Sequence, residues 1–481
     1  MLDREICDRA RIARDSRFDG RFVSGVLTTR IYCRPVCPVR PARSANVIFF
    51  PTAAAAETAG FRPCLRCRPE AAPGSAAWRG TAATVSRALR LIDRGALDEG
   101  HVVDLAAALG VGARHLTRLF MEHVGAPPTA AARTRRVQLA KMLLTESRLP
   151  MTEVAFAAGF RSVRRFNAVF RQTYRRPPSS IRRADPAAID GGGLTLRLAY
   201  CPPLGWPGTA RRLAAECTPG VEDVGPGGYR RTVAIDGRAG WLSVGPVAGR
   251  SQVELRLQLP DYQPLRAVIE RVSRLLDLGA DPEAIAGQLA VDGGLGRLRS
   301  RLRAVRLPGA WDGFEVAVHR VLRRHVGAAG ARDAAGRLAR ALGRPLAAGP
   351  PAGPDRLFPE PETLAAAGPR VLGLSAAAAR DLRRLGEATA GGAIRFQTAT
   401  FDELVAQLER EARFDRATAH WIAMRSLAEP DAVLGGLNGS AAVSERWRPW
   451  RSYVAICQAT AARAAAVAAP RASLSGPRAA R

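Results

Sequence analysis

The chain has 481 residues, of which 47% are hydrophobic, so it is long enough for several domains with packed cores. It has a formal net charge of +29, which favours a polyanion such as nucleic acid as its partner. Arginine-rich usage is also typical of GC-rich coding, so charge alone does not identify that partner. No secretory signal follows Met1 and no apolar run approaches a membrane span, so we expect a cytoplasmic protein rather than a secreted or membrane-spanning one.

Four cysteines near the amino terminus form two closely spaced pairs. Cys33 and Cys37 lie in T-T-R-I-Y-C-R-P-V-C-P, and Cys64 and Cys67 lie in G-F-R-P-C-L-R-C-R-P. Two such pairs can supply four thiolate ligands to one Zn²⁺ ion, and a reducing cytosol favours metal binding over a disulfide. The spacing alone leaves two alternatives open, a disulfide framework and a purely structural zinc site.

Residues 3–75 resemble the amino-terminal domain of Ada-type proteins. The cysteine pairs and the preceding D-G-R-F-V-S-G-V-L-T-T-R carry the likeness, although Arg30 stands where the family usually has glycine. In that family the cysteine of I-Y-C-R-P is a zinc ligand and accepts a methyl group from a methylphosphotriester in damaged DNA. The resemblance therefore implies that Cys33 is the methyl acceptor and that Cys37, Cys64 and Cys67 are the remaining ligands.

Arginine side chains crowd around both cysteine pairs. Guanidinium groups offset the net negative charge of a four-thiolate zinc site, and they also bind phosphate. We therefore expect three of them to contact DNA: Arg34, Arg62 and Arg66. A coordinated thiol is deprotonated, which would give Cys33 a thiolate nucleophile, and a methylated phosphate carries no charge that repels it.

An internal repeat follows a linker that contains proline and glycine. Helical periodicity begins near Thr84, and residues 102–120 recur as residues 151–170. Each copy reads as a helix, a turn and a second helix, with Gly110 and Gly159 where the turn needs a permissive backbone. Such units are typical of proteins that read the major groove. The alternative is a generic helix pair with solvated charges.

The second helix of each copy has an apolar face and a polar face. Leu116 and Phe120 in the first copy, and Phe166 and Phe170 in the second, are predicted to be buried. The polar side chains between them are predicted to contact DNA: Arg114, Thr117, Arg118, Arg161, Arg164, Arg165, Asn167 and Arg171.

Residues 80–183 resemble the double helix-turn-helix domain of AraC-type transcription regulators. The words G-F-R-S-x-x-x-F-x-x-x-F and P-P-S carry the likeness, and Ada-type proteins have such a domain directly after the zinc domain. The resemblance implies double-stranded DNA as the partner and regulation of repair genes, and it leaves RNA polymerase open as a further partner.

The second half of the chain changes character after a linker that ends in three glycines. Alternating segments such as L-T-L-R-L-A-Y and V-E-L-R-L-Q-L predict half-buried strands, and helices begin near Pro264. Residues 193–305 resemble the amino-terminal domain of AlkA-type 3-methyladenine DNA glycosylases, through P-P-L-G-W-P and Y-R-R-T. Residues 306–460 resemble their helix-hairpin-helix domain, through P-G-A-W-D-G-F-E and W-I-A-M-R. The tail at 461–481 is rich in alanine and arginine, and we predict that it is disordered.

The glycosylase-like region departs from its family at the positions that carry chemistry. The family hairpin P-G-I-G-x-W-T-A is replaced by A-R-F-D-R-A-T-A, which removes both glycines and one pocket aromatic residue, while Trp421 stands for the pocket tyrosine. Leu437 occupies the position of the catalytic aspartate, and leucine has no charge to stabilise a cationic sugar. Asp415 and Asp431 are nearby acids, which we expect to act as a loop tip or helix cap.

Together these features predict a multidomain α+β protein. It comprises a small zinc domain at 1–75, an all-α double helix-turn-helix domain, an α+β AlkA-like domain and an all-α helix-hairpin-helix domain. The favoured function is a response to DNA alkylation damage, in which Cys33 accepts a methyl group and the helix-turn-helix domain regulates repair genes. The alternatives are a regulator that also excises 3-methyladenine as a DNA glycosylase, and a DNA-binding regulator without chemistry.

Overall fold

The first domain is a small four-stranded sheet, with one helix before it and a second helix between its last two strands. The computed structural model describes residues 3–15, 18–67, 69, 83–182, 193–289, 295, 299–347, 349–350, 353–368, 373–397, 400–434 and 447–468. The first elements are α1 (Arg4–Ile12), β1 (Val23–Val26), β2 (Ile31–Cys33), β3 (Val47–Phe50), α2 (Ala53–Thr58) and β4 (Arg62–Pro63). The strand order is β3-β1-β2-β4, and β4 runs parallel to β2. This pairing brings the segment before Cys64 beside Cys33.

Helices α3 to α8 form the predicted double helix-turn-helix region. They are α3 (Ala83–Asp93), α4 (Val102–Ala108), α5 (Ala113–His123), α6 (Pro128–Glu146), α7 (Met151–Ala157) and α8 (Val163–Tyr174). Gly110 and Gly159 have φ angles of 68° and 86°, which confirms the prediction that both turns need glycine. The long helix α6 joins the two units and has Pro128 at its first position, where a missing N–H costs no hydrogen bond.

A twisted antiparallel sheet follows. Its strands are β5 (Leu194–Ala199), β6 (Glu222–Gly225), β7 (Gly228–Ile235), β8 (Arg238–Pro246) and β9 (Gln252–Gln258), in the order β5-β9-β8-β7-β6. The accompanying helices are α9 (Trp206–Glu216), α10 (Leu265–Leu275), α11 (Pro282–Leu289) and α12 (Arg299–Leu302). The alternating segments predicted as strands are confirmed, whereas β6 and α9 were not predicted. The edge strand β6 is short and half-buried throughout, so it lacks an alternating pattern.

The remaining elements are helical. They are α13 (Gly313–Leu342), α14 (Pro361–Ala366), α15 (Ala376–Ala390), α16 (Phe401–Glu411), α17 (Arg416–Leu427) and α18 (Arg451–Ala468). Helix α13 breaks at Gly327, whose φ of 73° is not helical. Helix α18 continues to Ala468, and residues 469–481 of the tail predicted to be disordered lie outside the described part. The multidomain α+β class is confirmed.

The second helix-turn-helix unit and the AlkA-like sheet share one hydrophobic core. Phe166 and Phe170 of α8 belong to the same cluster of buried side chains as Leu196 of β5 and Leu255 of β9. The first unit has a cluster of its own around Phe120. Each fully buried Phe or Leu stabilises the fold by roughly 1.5–3 kcal/mol. The second unit of the segment predicted at 80–183 therefore shares a core with the sheet of the segment predicted at 193–305.

Ion pairs join the first unit to helix α10. The guanidinium of Arg266 on α10 pairs with Asp98, and the guanidinium of Arg94 lies 3.1 Å from the Glu270 carboxylate of α10; Arg94 and Asp98 both follow α3. A Cβ atom at Gly159 would collide with both members of the first pair. Glycine is therefore favoured at position 159 for two reasons: its φ is positive, and there is no space for a side chain. Among the helices that the structure describes, none has the length and apolar character needed to cross a membrane.

Candidate metal centre and nucleic-acid interface

The four predicted ligands meet at the end of the zinc domain's parallel strand pair. The sulfur atoms of Cys33, Cys37, Cys64 and Cys67 all lie within 4.8 Å of one another. Strand β2 ends at Cys33 and β4 ends just before Cys64, so the strand pairing sets the distance between the two cysteine pairs. Cys64 and Cys67 are buried, whereas Cys33 and Cys37 are half-buried. The first pair is therefore the more exposed of the two.

The thiol cluster is the donor set of a tetrahedral zinc site. Without a cation the thiols share protons: the hydrogen bond with Cys37 raises the pKa of Cys33, and the reciprocal contact lowers the pKa of Cys37 to about 7. Four sulfurs this close cannot all lose their protons unless a cation compensates their charge. Backbone N–H groups of Arg34 and Arg66 also point at sulfur, each at 3.4 Å. The cofactor is Zn²⁺, as predicted.

Arg34, predicted as a phosphate contact, points toward the protein in this structure. Its guanidinium pairs with both carboxylate oxygens of Asp19, with Nε 2.8 Å from Oδ1, and its Nη1 donates to the Cys67 carbonyl oxygen at 3.1 Å. Asp19 is buried and fixes this arginine beside the thiols. Of the other predicted contacts, Arg62 is half-buried and Arg66 is exposed. Asp19 was not predicted, although it belongs to the D-G-R-F word that carries the family likeness.

Arg30 shows why the Ada-type family favours glycine in this turn. Its φ is 52°, in the left-handed region that residues with a Cβ seldom adopt. Its backbone N–H donates to the Val26 carbonyl oxygen at 2.9 Å and closes the hairpin between β1 and β2. Its guanidinium lies 5.1 Å from the Phe61 ring centroid, and this cation–π contact offsets part of the strain.

The predicted DNA contacts lie on the outer faces of both helix-turn-helix units. Thr117 and Asn167 are half-buried, and the Thr117 hydroxyl donates to the Ala113 carbonyl oxygen of its own helix at 2.9 Å. Ser162 caps α8 by accepting the Arg165 N–H at 3.2 Å, which fixes where the helix begins. The remaining predicted contacts are exposed: Arg114, Arg118, Arg161, Arg164, Arg165 and Arg171.

Family models match three parts of the chain. The metal binding domain of Ada matches residues 6–70, a helix-turn-helix domain matches residues 105–184, and the AlkA N-terminal domain matches residues 195–312. A Mycobacterium tuberculosis protein named "Probable bifunctional transcriptional activator/DNA repair enzyme AlkA" is 40% identical over 479 residues, which cover 94% of this chain and 95% of that relative. The chain belongs to this AlkA family of bifunctional activator and repair proteins.

Two Escherichia coli relatives match shorter stretches of this AlkA-family protein. The "Bifunctional transcriptional activator/DNA repair enzyme Ada" is 40% identical over 132 residues, which cover 26% of this chain and 35% of that relative. The "DNA-3-methyladenine glycosylase 2" is 29% identical over 273 residues, which cover 53% of this chain and 93% of that relative. The family membership confirms the predicted resemblance to Ada-type proteins in the front half and to AlkA-type glycosylases in the rear half.

In this AlkA-family protein the two acids near the glycosylase-like hairpin both have partners. Asp415 caps α17 by accepting the Thr418 N–H at 3.0 Å, and this hydrogen bond lowers the pKa of Asp415. Asp431 forms an ion pair with Arg451, with O–N distances of 2.8 and 3.0 Å. Asp415 is therefore a helix cap, which is one of the two roles expected for these acids. Asp431 is instead the partner of Arg451 in an ion pair.

Trp421, the predicted pocket aromatic residue, is in contact with the side chain of Arg320. The guanidinium carbon of Arg320 lies 4.9 Å from the Trp421 ring centroid. Trp421 is half-buried on α17, and its indole N–H has no hydrogen-bond partner among the described residues. Leu437, the residue at the aspartate position, lies outside the described residues. Arg413 in the hairpin has a φ of 54°, so it keeps a left-handed conformation where the family has glycine.

We expect the purified protein to hold about one zinc ion per chain, because the cluster offers four ligands in one sphere. Replacing one buried ligand in Cys64→Ser should remove most of that zinc, as measured by elemental mass spectrometry. Cys457→Ser, which alters a buried thiol outside the cluster, is the control and should keep the wild-type content. Wild-type protein with clearly less zinc than one ion per chain would contradict the site.

Proposed function

We propose that this protein repairs methylphosphotriesters in DNA by transferring the methyl group to Cys33, and that the helix-turn-helix region then regulates repair genes. The observation that supports this most is the asymmetry of the thiol cluster. Cys64 and Cys67 are buried, while Cys33 is half-buried at the end of β2. Double-stranded DNA is the substrate and partner, and RNA polymerase is the proposed partner in activation.

The transfer is a single displacement at carbon. The Cys33 sulfur attacks the methyl carbon, a sulfur–carbon bond forms, and the bond from that carbon to the phosphate oxygen breaks. The electron pair stays on the oxygen, which becomes part of an ordinary phosphodiester anion. When bound, Zn²⁺ keeps the attacking thiol deprotonated at neutral pH. The reaction needs no proton transfer and no second substrate, and the thioether product makes each chain a single-turnover enzyme.

Charged side chains near the cluster would position the DNA backbone. Asp19 holds the Arg34 guanidinium against the Cys67 carbonyl oxygen, so this ion pair fixes an arginine at the thiol cluster. Arg66 is exposed within the second cysteine pair, where it can bind the phosphodiester anion that the reaction releases. Neither contact depends on the base sequence, which suits an enzyme that repairs backbone damage.

The transfer can be followed with DNA that carries an isotopically labelled methylphosphotriester. Wild-type protein and the Cys457→Ser control should take up the label, and peptide mapping should place it on Cys33. Cys33→Ser should take up none. Cys37 is the other half-buried thiol of the cluster, so label on Cys37 would contradict the assignment of the acceptor.

Sequence-specific recognition by α8 makes a separate prediction. Replacing Arg165 or Asn167 with alanine should weaken binding to a selected target duplex by about 1–3 kcal/mol, with a smaller effect on random DNA. These residues lie on the outer face of the second unit, where base edges would be reached. Gel-shift titrations on both duplexes measure the difference, with the exposed Arg197 of β5 changed to alanine as control. Equal losses on both duplexes would mean that the side chains contact phosphate.

Base excision of 3-methyladenine is the second candidate function. The match to the AlkA N-terminal domain and the likeness to DNA-3-methyladenine glycosylase 2 favour it. Against it stand the leucine at position 437 and the two acids, Asp415 and Asp431, that are already engaged in a cap and an ion pair. We therefore place methyl transfer first.

A further inference from the structure

A cavity of about 100 Å³ lies between the AlkA-like sheet and the glycosylase-like helices. Its walls come from α9, β6, β7, α10, α13 and α17, so it is separate from the thiol cluster and from the helix-turn-helix units. Leu275 and Trp311 in its wall are buried, whereas Arg323 and Arg332 are exposed where the cavity meets solvent. Pockets that enclose a whole small molecule usually exceed about 300 Å³, so this cavity suits a group of only a few atoms.

Each acidic residue in the cavity wall forms an ion pair with an arginine. The pairs are Glu216 with Arg425 at 2.8 Å, Glu222 and Glu315 with Arg231 at 2.8 and 2.7 Å, and Asp312 with Arg271 at 3.6 Å. Burial also raises the pKa of Glu315, against the effect of Arg231, which reduces the negative charge of this carboxyl near neutral pH. The acids are therefore offset within the protein and leave little net negative charge in the cavity.

The arginines at the cavity outnumber these pairs. In the part of the chain that the structure describes, Arg323 and Arg332 in the wall form no ion pair, and neither does Arg212 of α9 beside it. The Arg212 Nη2 donates to the carbonyl oxygen of the wall residue Leu275 at a long 3.5 Å, and its Nη1 is buried without a hydrogen-bond partner among the described residues. A buried donor without an acceptor costs stability, and an anion in the adjoining cavity would offset its charge.

Positive charge also converges on the inner wall. Burial alone would raise the pKa of Glu216, but neighbouring groups lower it, namely Arg425, Arg212, His319 and Arg320. Burial lowers the pKa of Arg212 to about 10, so this side chain stays charged at neutral pH. The guanidinium of the wall residue Arg320 lies 4.9 Å from the Trp421 ring centroid, and a guanidinium stacked on a ring keeps its N–H edge for hydrogen bonds.

We propose that this cavity is a binding site for a phosphate group, held by Arg323 and Arg332 at its opening with the charges of Arg212 and Arg320 behind them. Guanidinium groups bind phosphate oxygens through charge-assisted hydrogen bonds. The group belongs either to the DNA backbone or to a free phosphate compound such as a nucleotide, because both present the same oxygens. An alkylated base is cationic and larger, so it fits neither the charge nor the volume. The site gives the glycosylase-like half a binding role that needs no catalytic aspartate.

The experiment uses the full-length, zinc-loaded protein and two matched pairs of variants. Arg323→Gln removes an exposed arginine of the cavity wall, and its control is Arg324→Gln, an exposed neighbour outside that wall. Arg212→Gln removes the buried arginine. Its control is Arg211→Gln, an exposed arginine of the same helix whose Nε donates to the Pro207 carbonyl oxygen at 3.3 Å. Thermal unfolding checks each fold, and if Arg212→Gln does not fold, the exposed pair carries the test.

The first arm measures free phosphate compounds by calorimetric titration at constant ionic strength. The probes are inorganic phosphate and deoxyadenosine monophosphate. For a site that takes such compounds, Arg323→Gln should weaken binding about tenfold and Arg212→Gln at least about threefold, because they remove a charged hydrogen bond and a nearby charge. Both controls should stay within about twofold of the wild type. Phosphate bound elsewhere on the protein is common to all variants and cancels in the comparison.

The second arm measures undamaged, random-sequence duplex DNA over a series of salt concentrations. Loss of one phosphate contact weakens binding to all sequences alike and reduces the slope of log affinity against log salt concentration by about one. For a site that takes the DNA backbone, both cavity variants should show this change and neither control should. The measurement does not depend on methyl transfer, so it stands whatever happens to the proposed function.

The two arms identify the source of the phosphate group. Weaker binding of the cavity variants to duplex DNA identifies the backbone, and a loss confined to the free compounds identifies a small-molecule ligand. Cavity variants that match their controls in both arms would overturn the site. Equal losses in a cavity variant and its control would also overturn it, because they would reflect the overall charge of the protein and not the cavity.

Discussion

Methylation of Cys33 is expected to strengthen binding of the protein to its operator by roughly tenfold to a thousandfold. The change from a thiolate to a thioether removes one negative charge from the cluster, while the surrounding arginines keep theirs. Unit charges about 4 Å apart interact by about 1 kcal/mol in water and by several times that near a protein surface. Summed over a few phosphates, this lost repulsion accounts for the expected gain in affinity.

Operator affinity before and after methylation, at two salt concentrations, measures this gain. The gain should shrink at the higher salt concentration, because salt screens the repulsion that methylation removes. Cys33→Ser is the matched control, because it accepts no methyl group and should show no change. If methylated and unmethylated protein bind the operator equally well, methylation does not act as a switch, and Cys33 is a repair residue only.

Release of 3-methyladenine from alkylated duplex DNA is expected to be about a hundredfold to a thousandfold slower than by a glycosylase with an intact catalytic aspartate. Leucine at position 437 offers no charge to the cationic sugar. The Asp415 carboxylate occupies the start of α17, where a hairpin glycine would leave backbone N–H groups open to a DNA phosphate. The Arg320 guanidinium lies over Trp421, where a cationic base would stack.

Chromatographic detection of the free base measures this rate. Asp431→Asn tests whether that acid supplies any residual activity, since it shortly precedes Leu437 in the sequence and is paired with Arg451. A rate comparable to that of an intact glycosylase would contradict the prediction. Loss of that rate in Asp431→Asn would then identify Asp431 as a substitute acid.

The features that were predictable from the sequence are those that depend on residues close together in the chain. The thiol cluster follows from two local pairs, Cys33 with Cys37 and Cys64 with Cys67, and the structure brings them together. The turn glycine Gly110 was predictable for the same reason, because a helix–turn–helix repeat demands a positive φ at one position. In both cases the chemistry of a few neighbouring residues decides the outcome.

The contacts that were missed are long-range. Asp19 pairs with Arg34 across the zinc domain, and Glu57 meets Thr134 only because α2 docks on α6. Nothing in the local sequence of either partner specifies the other, although a lone glutamate in an alanine run is a signal that a buried partner exists. The shared core of α8 and the AlkA-like sheet was hidden for the same reason, since each segment alone has an ordinary apolar face.

Methyl transfer to Cys33 is tested most directly by intact mass spectrometry of the full-length protein. The protein is incubated with an excess of duplex DNA that carries one methylphosphotriester. We expect the mass to rise by one methyl group per chain and then stop, with peptide mapping placing the group on Cys33 and with Cys33→Ser unchanged. An unchanged mass of the wild type, or a methyl group on Cys37, would contradict the proposed reaction.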